Sequence, residues 1–219
     1  MKRKYFRILL FGIVIGLIII ITLPFHGCKK PEPEEKDTCQ AVYKPNIYIY
    51  PKSNINIKVI ISFPKGGKII KSIPDYNKFW DVNVDNTGKI DNKYDYLFYE
   101  SKQPKEWQYK TGWIIEKEYL MSFFQKNMKE YGFNSKEIKD FTDFWIPLLK
   151  TFKYYLIYPQ EKIIIDKLIQ IDYSIKPDNL LRLFYVIKGT NKIVPIGKHN
   201  VNSSFKREDF CVTEWGVII

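Results

Sequence analysis

Four charged side chains in or beside predicted strands are the candidates for chemistry. Glu100 ends an aromatic strand, Glu214 lies in the last strand, and Asp178 and Arg182 lie at and just inside another. Two carboxylates in an aromatic cleft can perform acid–base chemistry on a glycan when burial keeps one of them protonated and the other is ionised. The alternative is an ion pair of Arg182 that holds the sheets together. The sequence favours this structural interpretation, because charges on strands near aromatic residues are commonly paired for folding.

Other kinds of catalytic or metal site find little support in the sequence. A zinc site needs several His or Cys ligands, whereas the chain has two histidines, His26 and His199. His199 has no evident catalytic partner and reads as a loop residue, and Cys211 has no evident base. Asp81, Asn83, Asp85 and Asp91 resemble a calcium loop, but Gly88 comes two places late and Asn92 stands where a bidentate Glu belongs. A hairpin turn explains Asp85 to Gly88 better. We therefore assign no catalytic residue and expect no metal and no cofactor.

An apolar segment near the start of the chain predicts a membrane location. Residues 8–25 are eighteen residues without charge, and Lys2, Arg3, Lys4 and Arg7 precede them. As a helix this segment would span about 27 Å, which is just enough to cross a bilayer. Cations beside such a segment stay in the cytoplasm. The rest of the chain is therefore expected outside the cytoplasm, at the cell membrane.

The sequence leaves open how this segment holds the chain at the membrane. Its length favours an uncleaved transmembrane anchor. Its end, Phe25-His26-Gly27-Cys28, resembles the bacterial lipobox, in which a small residue precedes a cysteine that receives a lipid and becomes the mature N-terminus. The resemblance makes Cys28 the candidate lipidation site and residues 1–28 a cleaved signal. The two alternatives predict the same location for the remaining chain.

The composition predicts one folded body on a polar tether. Residues 29–43 begin with a run of Pro and charged residues, typical of an extended tether, and the body is predicted to be residues 44–219. The net charge is +11, and +7 remains after residue 28. Such a charge favours anionic lipid or an acidic cell-wall polymer as a partner, although excess lysine on a solvated surface is the preferred explanation. No basic run is dense enough to predict nucleic-acid binding.

Cysteine usage suggests a disulfide bond. Besides Cys28 the chain has Cys39, before the first predicted strand, and Cys211, in the last one. Outside the cytoplasm disulfides persist, so a Cys39–Cys211 bond would close almost the whole domain and stabilise it by about 4–5 kcal/mol. The alternative is two thiols, each buried as a small hydrophobic side chain.

The hydrophobic periodicity changes twice along the body and predicts an α+β fold. Period-two alternation, as at residues 55–63, marks short strands joined by tight turns up to residue 100. Residues 120–131 and 135–147 then have helical spacing, with Gly132 as a stop and Asn134 with Glu137 as a capping box. Strands return at residues 154–158, 169–175, 180–187 and 210–219. We expect mainly antiparallel, sandwich-like β structure with two central amphipathic helices.

Several short motifs, taken in chain order, add a family resemblance. They are Lys44-Pro45-Asn46-Ile47-Tyr48-Ile49-Tyr50-Pro51, Tyr96-Leu97-Phe98-Tyr99-Glu100, the helical stretch from Gly132 to Pro147, Pro177-Asp178 with Arg182 and Phe184, and Glu214-Trp215-Gly216. Together they are similar to a family of uncharacterised bacterial extracytoplasmic domains with the patterns KPxIYxYP, YLFWE and VEWGG. The resemblance implies no activity. We therefore expect a binding or structural module of the cell envelope, with a glycan hydrolase using Glu100 and Glu214 as the alternative.

Overall fold

The computed structural model describes residues 39–219, which belong to one compact unit, Asp37–Ile219. Its strands are β1 (Cys39–Tyr50), β2 (Ile55–Ser62), β3 (Lys68–Ile73), β4 (Trp80–Val84), β5 (Leu97–Pro104), β6 (Thr111–Glu116), β7 (Tyr154–Glu161), β8 (Gln170–Tyr173), β9 (Asn179–Thr190), β10 (Gly197–Lys198) and β11 (Cys211–Ile218). Its helices are α1 (Leu120–Tyr131), α2 (Ser135–Trp145) and the single turn α3 (Lys162–Ile165).

The strands form two sheets, and the helices form a third layer. The large sheet has eight strands in the order β10-β6-β7-β9-β11-β1-β5-β3, and the small sheet has three in the order β4-β2-β8. One apolar core contains side chains of the small sheet and of one face of the large sheet. A second core contains side chains of α1, α2 and the other face. The predicted α+β fold with mainly antiparallel strands and two helices is confirmed, although β9·β11 and β6·β10 are parallel pairs.

The two helices begin and end where their sequence signals predict. Helix α1 ends at Gly132, whose φ of 110° is in the left-handed region that glycine adopts without steric cost. Asn134 caps α2: its side chain accepts a hydrogen bond from the backbone of Glu137, and the Glu137 carboxylate accepts one from the backbone of Asn134. After Trp145 the chain continues as a 3-10 turn containing Pro147, which lacks the N–H that an α-helix needs.

The first strand differs from its prediction. Residues 39–43, predicted as part of the tether, form the first part of β1: residues 39–42 pair with β5, and Tyr43 pairs with β11. Both pairings of β1 shift register just before Asn46, where Lys44 adopts a φ of 52°. The bulge at Lys44 and Pro45 separates two regular halves of β1. The predicted membrane segment, the signal or anchor at residues 1–28, Cys28 and most of the predicted tether lie outside the described residues.

The centre of the large sheet is built from strands that are far apart in sequence. Strand β11 lies between β1, to which it is antiparallel, and β9, to which it is parallel. All eight residues of β11 are buried. We call the sheet end with Cys39 of β1, Pro104 of β5 and Ile218 of β11 the entry end, and the end with Tyr50, Cys211 and Asn179 the far end.

Candidate functional site

A cleft of about 690 Å³ opens at the far end of the large sheet. Three short pieces of chain form it: the end of β7 with α3, the start of β9, and the segment from Asn202 to Phe205. Carboxylates, amides, aromatic rings and the cations Lys162 and Arg182 share its walls. The side chains used below are Tyr131, Glu161, Asp166, Asp178, Asn179, Asn202 and Phe205.

Local hydrogen bonds hold the cleft walls in place. The carboxylate of Asp178 accepts a hydrogen bond from the backbone of Phe210 at 3.1 Å, and the amide of Asn179 donates to the carbonyl of Glu208 at 2.9 Å. These contacts tie the start of β9 to the chain that enters β11. On the opposite wall Ile165 is fully buried and anchors α3. The cleft is therefore largely preformed, as ligand sites usually are.

A buried charge network lies behind the cleft, between the two sheets. The Nε of Arg182 lies 2.5 Å from Glu214, and its Nη1 lies 2.6 Å from Asp166. The hydroxyl of Tyr99 donates to Glu214 at 2.7 Å. Burial alone would lower the pKa of Arg182, but Glu214, Tyr99 and Tyr173 together outweigh it and the pKa is raised. Burial, followed by the charge of Glu214, also raises the pKa of Tyr99. Arg182 therefore forms the ion pairs that the structural interpretation of this residue predicted.

The two predicted catalytic carboxylates do not share a cleft. Glu214 is fully buried and contacts Tyr99, which belongs to the core between the sheets. Glu100 follows Tyr99 on β5, and successive side chains of a strand point to opposite faces. Glu100 pairs with Lys71 of β3 and lies close enough to Lys44 to raise the pKa of that lysine, although burial lowers it overall. These placements argue against a hydrolase that uses Glu100 and Glu214 together, since both carboxylates would have to flank one bond.

A hydrogen-bonded histidine cluster beside the cleft was not predicted. The Nε2 of His199 lies 2.9 Å from the hydroxyl of Tyr131 and 3.3 Å from Glu161, and its Nδ1 lies 3.1 Å from the hydroxyl of Thr111. The Tyr131 hydroxyl also donates to Glu161 at 3.1 Å. Burial, and then the charge of Glu161, raises the pKa of Tyr131. His199 does lie in a loop, but the expectation that it has no partner is wrong, because its ring has three hydrogen-bond partners.

The cysteines correct another prediction. Cys39 begins β1 at the entry end, and Cys211 pairs with Tyr50, the last residue of β1. Twelve strand residues extend over about 36 Å, whereas a disulfide needs Cα atoms within about 7 Å of each other. No disulfide joins Cys39 and Cys211 in the described part of the chain. Burial raises the pKa of Cys211, so its thiol is held protonated.

Residues 39–219 contain no group of three or more His, Cys, Asp or Glu side chains that is arranged to hold a metal ion. Within the same range, no helix has the length and apolarity needed to cross a membrane. Asp85 accepts hydrogen bonds from the backbone and hydroxyl of Thr87 and from the backbone of Lys89, as a turn residue does. Comparison with known proteins found no matching family model, no matching curated protein and no matching solved structure.

Proposed function

We propose that this chain is a membrane-anchored extracytoplasmic protein whose folded domain binds a polar, hydroxyl-rich ligand of the envelope, such as a glycan segment, without catalysis. The observation that carries the binding proposal is the cleft at the far end of the sheet, with its carboxylates, amides and aromatic rings. The anchor is proposed from the apolar residues 8–25 and the cations before them. Membership of the family of uncharacterised extracytoplasmic domains, indicated by the motifs, is part of the same proposal.

The side chains of the cleft suit vicinal hydroxyl groups. Carboxylates accept hydrogen bonds, and the amides of Asn179 and Asn202 both donate and accept them. Phe205 offers an aromatic face of the kind that packs on the apolar face of a ring. This combination of a few polar groups with apolar wall is typical of small-molecule sites.

The contacts of the cleft carboxylates argue against hydrolysis. Glu161 accepts from Tyr131, Asp166 pairs with Arg182 and Lys162, and Asp178 accepts from the backbone of Phe210. Glycoside hydrolysis needs one carboxyl group that is kept protonated by an apolar environment. Each cleft carboxylate instead has a hydrogen-bond donor or a cation of the domain as its partner. We therefore favour binding over catalysis.

Binding is tested with residues 37–219 and a panel of envelope polysaccharide fragments, using titration calorimetry. Phe205→Ala should weaken binding of any fragment that the unaltered domain recognises by about tenfold. Phe79→Ala is the matched control, since Phe79 is 43% exposed and lies outside the cleft. Equal affinities for both variants would remove the cleft from the proposal, and release of reducing sugar ends by the domain would remove the non-catalytic part.

The anchor is tested separately on the full chain. Mass spectrometry of the membrane-extracted protein distinguishes the two alternatives: an intact Met1 excludes the lipoprotein, whereas a lipid on Cys28 excludes the uncleaved anchor. A reporter fused after Ile219 should be active outside the cytoplasm. A reporter that is active in the cytosol would refute the extracytoplasmic location.

A further inference from the structure

A second depression, of about 440 Å³, borders the cleft, and we call it the side pocket. At the end of α1, Glu130 lines the side pocket and the next residue, Tyr131, lines the cleft. In the segment after β10, Val201 lines the side pocket and Asn202 lines the cleft. The Tyr131 hydroxyl also lies 2.9 Å from the Nε2 of His199, which lines the side pocket. These residues form one wall that the two depressions share.

Two aromatic rings from different elements meet in the side pocket. The ring centroids of Trp113 in β6 and Phe123 in α1 are 5.3 Å apart, and the ring planes are inclined by 59°. The ring of His199 lies 5.1 Å from that of Trp113. Trp113 and Phe123 are both partly exposed, whereas the other four tryptophans of the chain are buried. The side pocket therefore has an aromatic wall of the kind that Phe205 gives the cleft.

Asn127 supplies a fixed hydrogen-bond donor to the side pocket. It lies on the buried face of α1, between Phe124 and Tyr131, and is only 3% exposed. Its side-chain oxygen accepts a hydrogen bond from the Tyr185 hydroxyl at 2.7 Å, which fixes the orientation of the amide. Its side-chain nitrogen has no acceptor among the described residues and is not sealed off in the core. Because Tyr185 needs only an acceptor, the N–H groups of this amide remain for a ligand.

Polar side chains complete the rim of the side pocket. Lys126 and Glu130 lie one turn apart on α1 at a distance of 4.0 Å, and both are well exposed, so this weak pair leaves them available to hydroxyl groups. Asn200 adds a second amide. Asn200 in the side pocket and Ser204 in the cleft are four residues apart in sequence and therefore at most about 14 Å apart. The side pocket thus repeats the chemistry of the cleft at a short distance from it.

We propose that the ligand of this domain is a chain of several linked sugar rings, which occupies the cleft and the side pocket together. The inference rests on the proposed function, since it adds the length of the ligand that the cleft is proposed to bind. A polymer presents the same hydroxyl groups and apolar ring faces at each repeat, which suits two neighbouring depressions of similar chemistry. Contact with the second depression is intramolecular once the first is filled, so a longer ligand gains affinity.

The test uses residues 37–219 with the disaccharide and the hexasaccharide of N-acetylglucosamine. This compact unit contains both apolar cores and has what a domain needs to fold alone. Titration calorimetry should show that the hexasaccharide binds at least about tenfold more tightly than the disaccharide. The hexasaccharide should also change the fluorescence of Trp113, the partly exposed tryptophan, and the disaccharide should not. Trp113→Phe should abolish this fluorescence change.

The decisive variant is Phe123→Ala. It should weaken hexasaccharide binding by at least about tenfold and leave disaccharide binding unchanged, because only the longer ligand reaches the side pocket. The matched control is Phe144→Ala, since Phe144 is a helical phenylalanine that is 42% exposed and lines neither depression. If Phe123→Ala melts early, Lys126→Ala with Glu130→Ala takes its place at exposed positions of the same rim and should also weaken only the hexasaccharide.

The outcomes distinguish this inference from the proposed function. Equal affinities for the two oligomers would overturn the inference and leave the cleft as a binding site. Equal losses in Phe123→Ala and Phe144→Ala, or hexasaccharide binding that leaves the fluorescence of Trp113 unchanged, would overturn it as well. If neither oligomer binds, the inference fails, and if no fragment of the whole polysaccharide panel binds, the proposed function fails with it.

Discussion

Removing the charge of Glu214 should destabilise the domain, and this loss of stability should not depend on a ligand in the cleft. Glu214→Gln keeps the shape of the side chain but leaves the guanidinium of Arg182, which is 2% exposed, without its closest counter-charge. Breaking one side of a buried ion pair costs about 3–5 kcal/mol. For a domain of this size the melting temperature should fall by about 10 °C. Asp166 still pairs with Arg182, so we expect the lower part of this range.

Two further variants test whether the loss of stability comes from breaking the buried ion pair. Glu100→Gln changes a half-buried carboxylate on the other face and should cost less than about 1 kcal/mol. Replacing the fully buried part of the network by apolar side chains, as Tyr99→Phe, Arg182→Met and Glu214→Leu, should restore most of the stability, because buried pairs are often neutral against apolar isosteres. The measurement is urea unfolding of residues 37–219, followed by tryptophan fluorescence and near-ultraviolet circular dichroism.

The reasoning fails if Glu214→Gln unfolds like the unaltered domain. A cost below about 1 kcal/mol with ligand binding lost would make Glu214 a functional residue and not a structural one. A triple variant that is less stable than Glu214→Gln would show that the network contributes more than its isosteres, contrary to the expected balance of desolvation and attraction.

Three further predictions concern the pH dependence of stability, the cap of α2 and the close backbone contact at Gly112. Burial raises the pKa of tyrosines such as Tyr99. Their contribution to the free energy of unfolding is therefore complete below a pH of about 10, which is the pKa of an unfolded tyrosine. As the pH rises further, this contribution falls by about 1.4 kcal/mol per tyrosine and pH unit. The tyrosinate absorbance of the buried tyrosines should therefore appear together with unfolding, after that of exposed tyrosines such as Tyr119. Titration of all the tyrosines before unfolding would contradict this. Asn134→Ala should cost about 1 kcal/mol in thermal unfolding, against less than 0.5 kcal/mol for Ser135→Ala, and equal effects would exclude the cap. Gly112→Ala brings a Cβ within 2.1 Å of a backbone carbonyl oxygen and should cost at least about 2 kcal/mol in urea unfolding, unlike Gly66→Ala, which meets open space at a left-handed φ and should cost about 1 kcal/mol.

Local signals in the sequence predicted the elements well. The Asn134–Glu137 capping box and the Gly132 stop bound α2 and α1 as expected, because these signals act within one turn of chain. Strand β2 was predicted from its period-two alternation, since one of its faces is buried and the other is not. Strand β6 was missed because burial does not alternate along its last four residues.

The features that the sequence did not predict depend on contacts between residues that are distant in sequence. The division into two sheets and the parallel β9·β11 pair follow from tertiary packing, which no local pattern encodes. His199 meets Glu161 and Tyr131, which are 38 and 68 residues away, so no spacing rule brings them together. Glu100 and Glu214 were paired because both end up in strands, but strand membership does not fix which face a carboxylate takes.

The central position of β11 has a consequence for biosynthesis. A chain that is synthesised from its N-terminus has no neighbour for one side of β1, or of β9, until β11 has been made. Pairing across such sequence separations is slow, so the nascent domain holds two apolar strand edges open during most of its synthesis. We expect that a chaperone shields these edges, and that loss of the last eight or nine residues leads to degradation and not to a partly working protein.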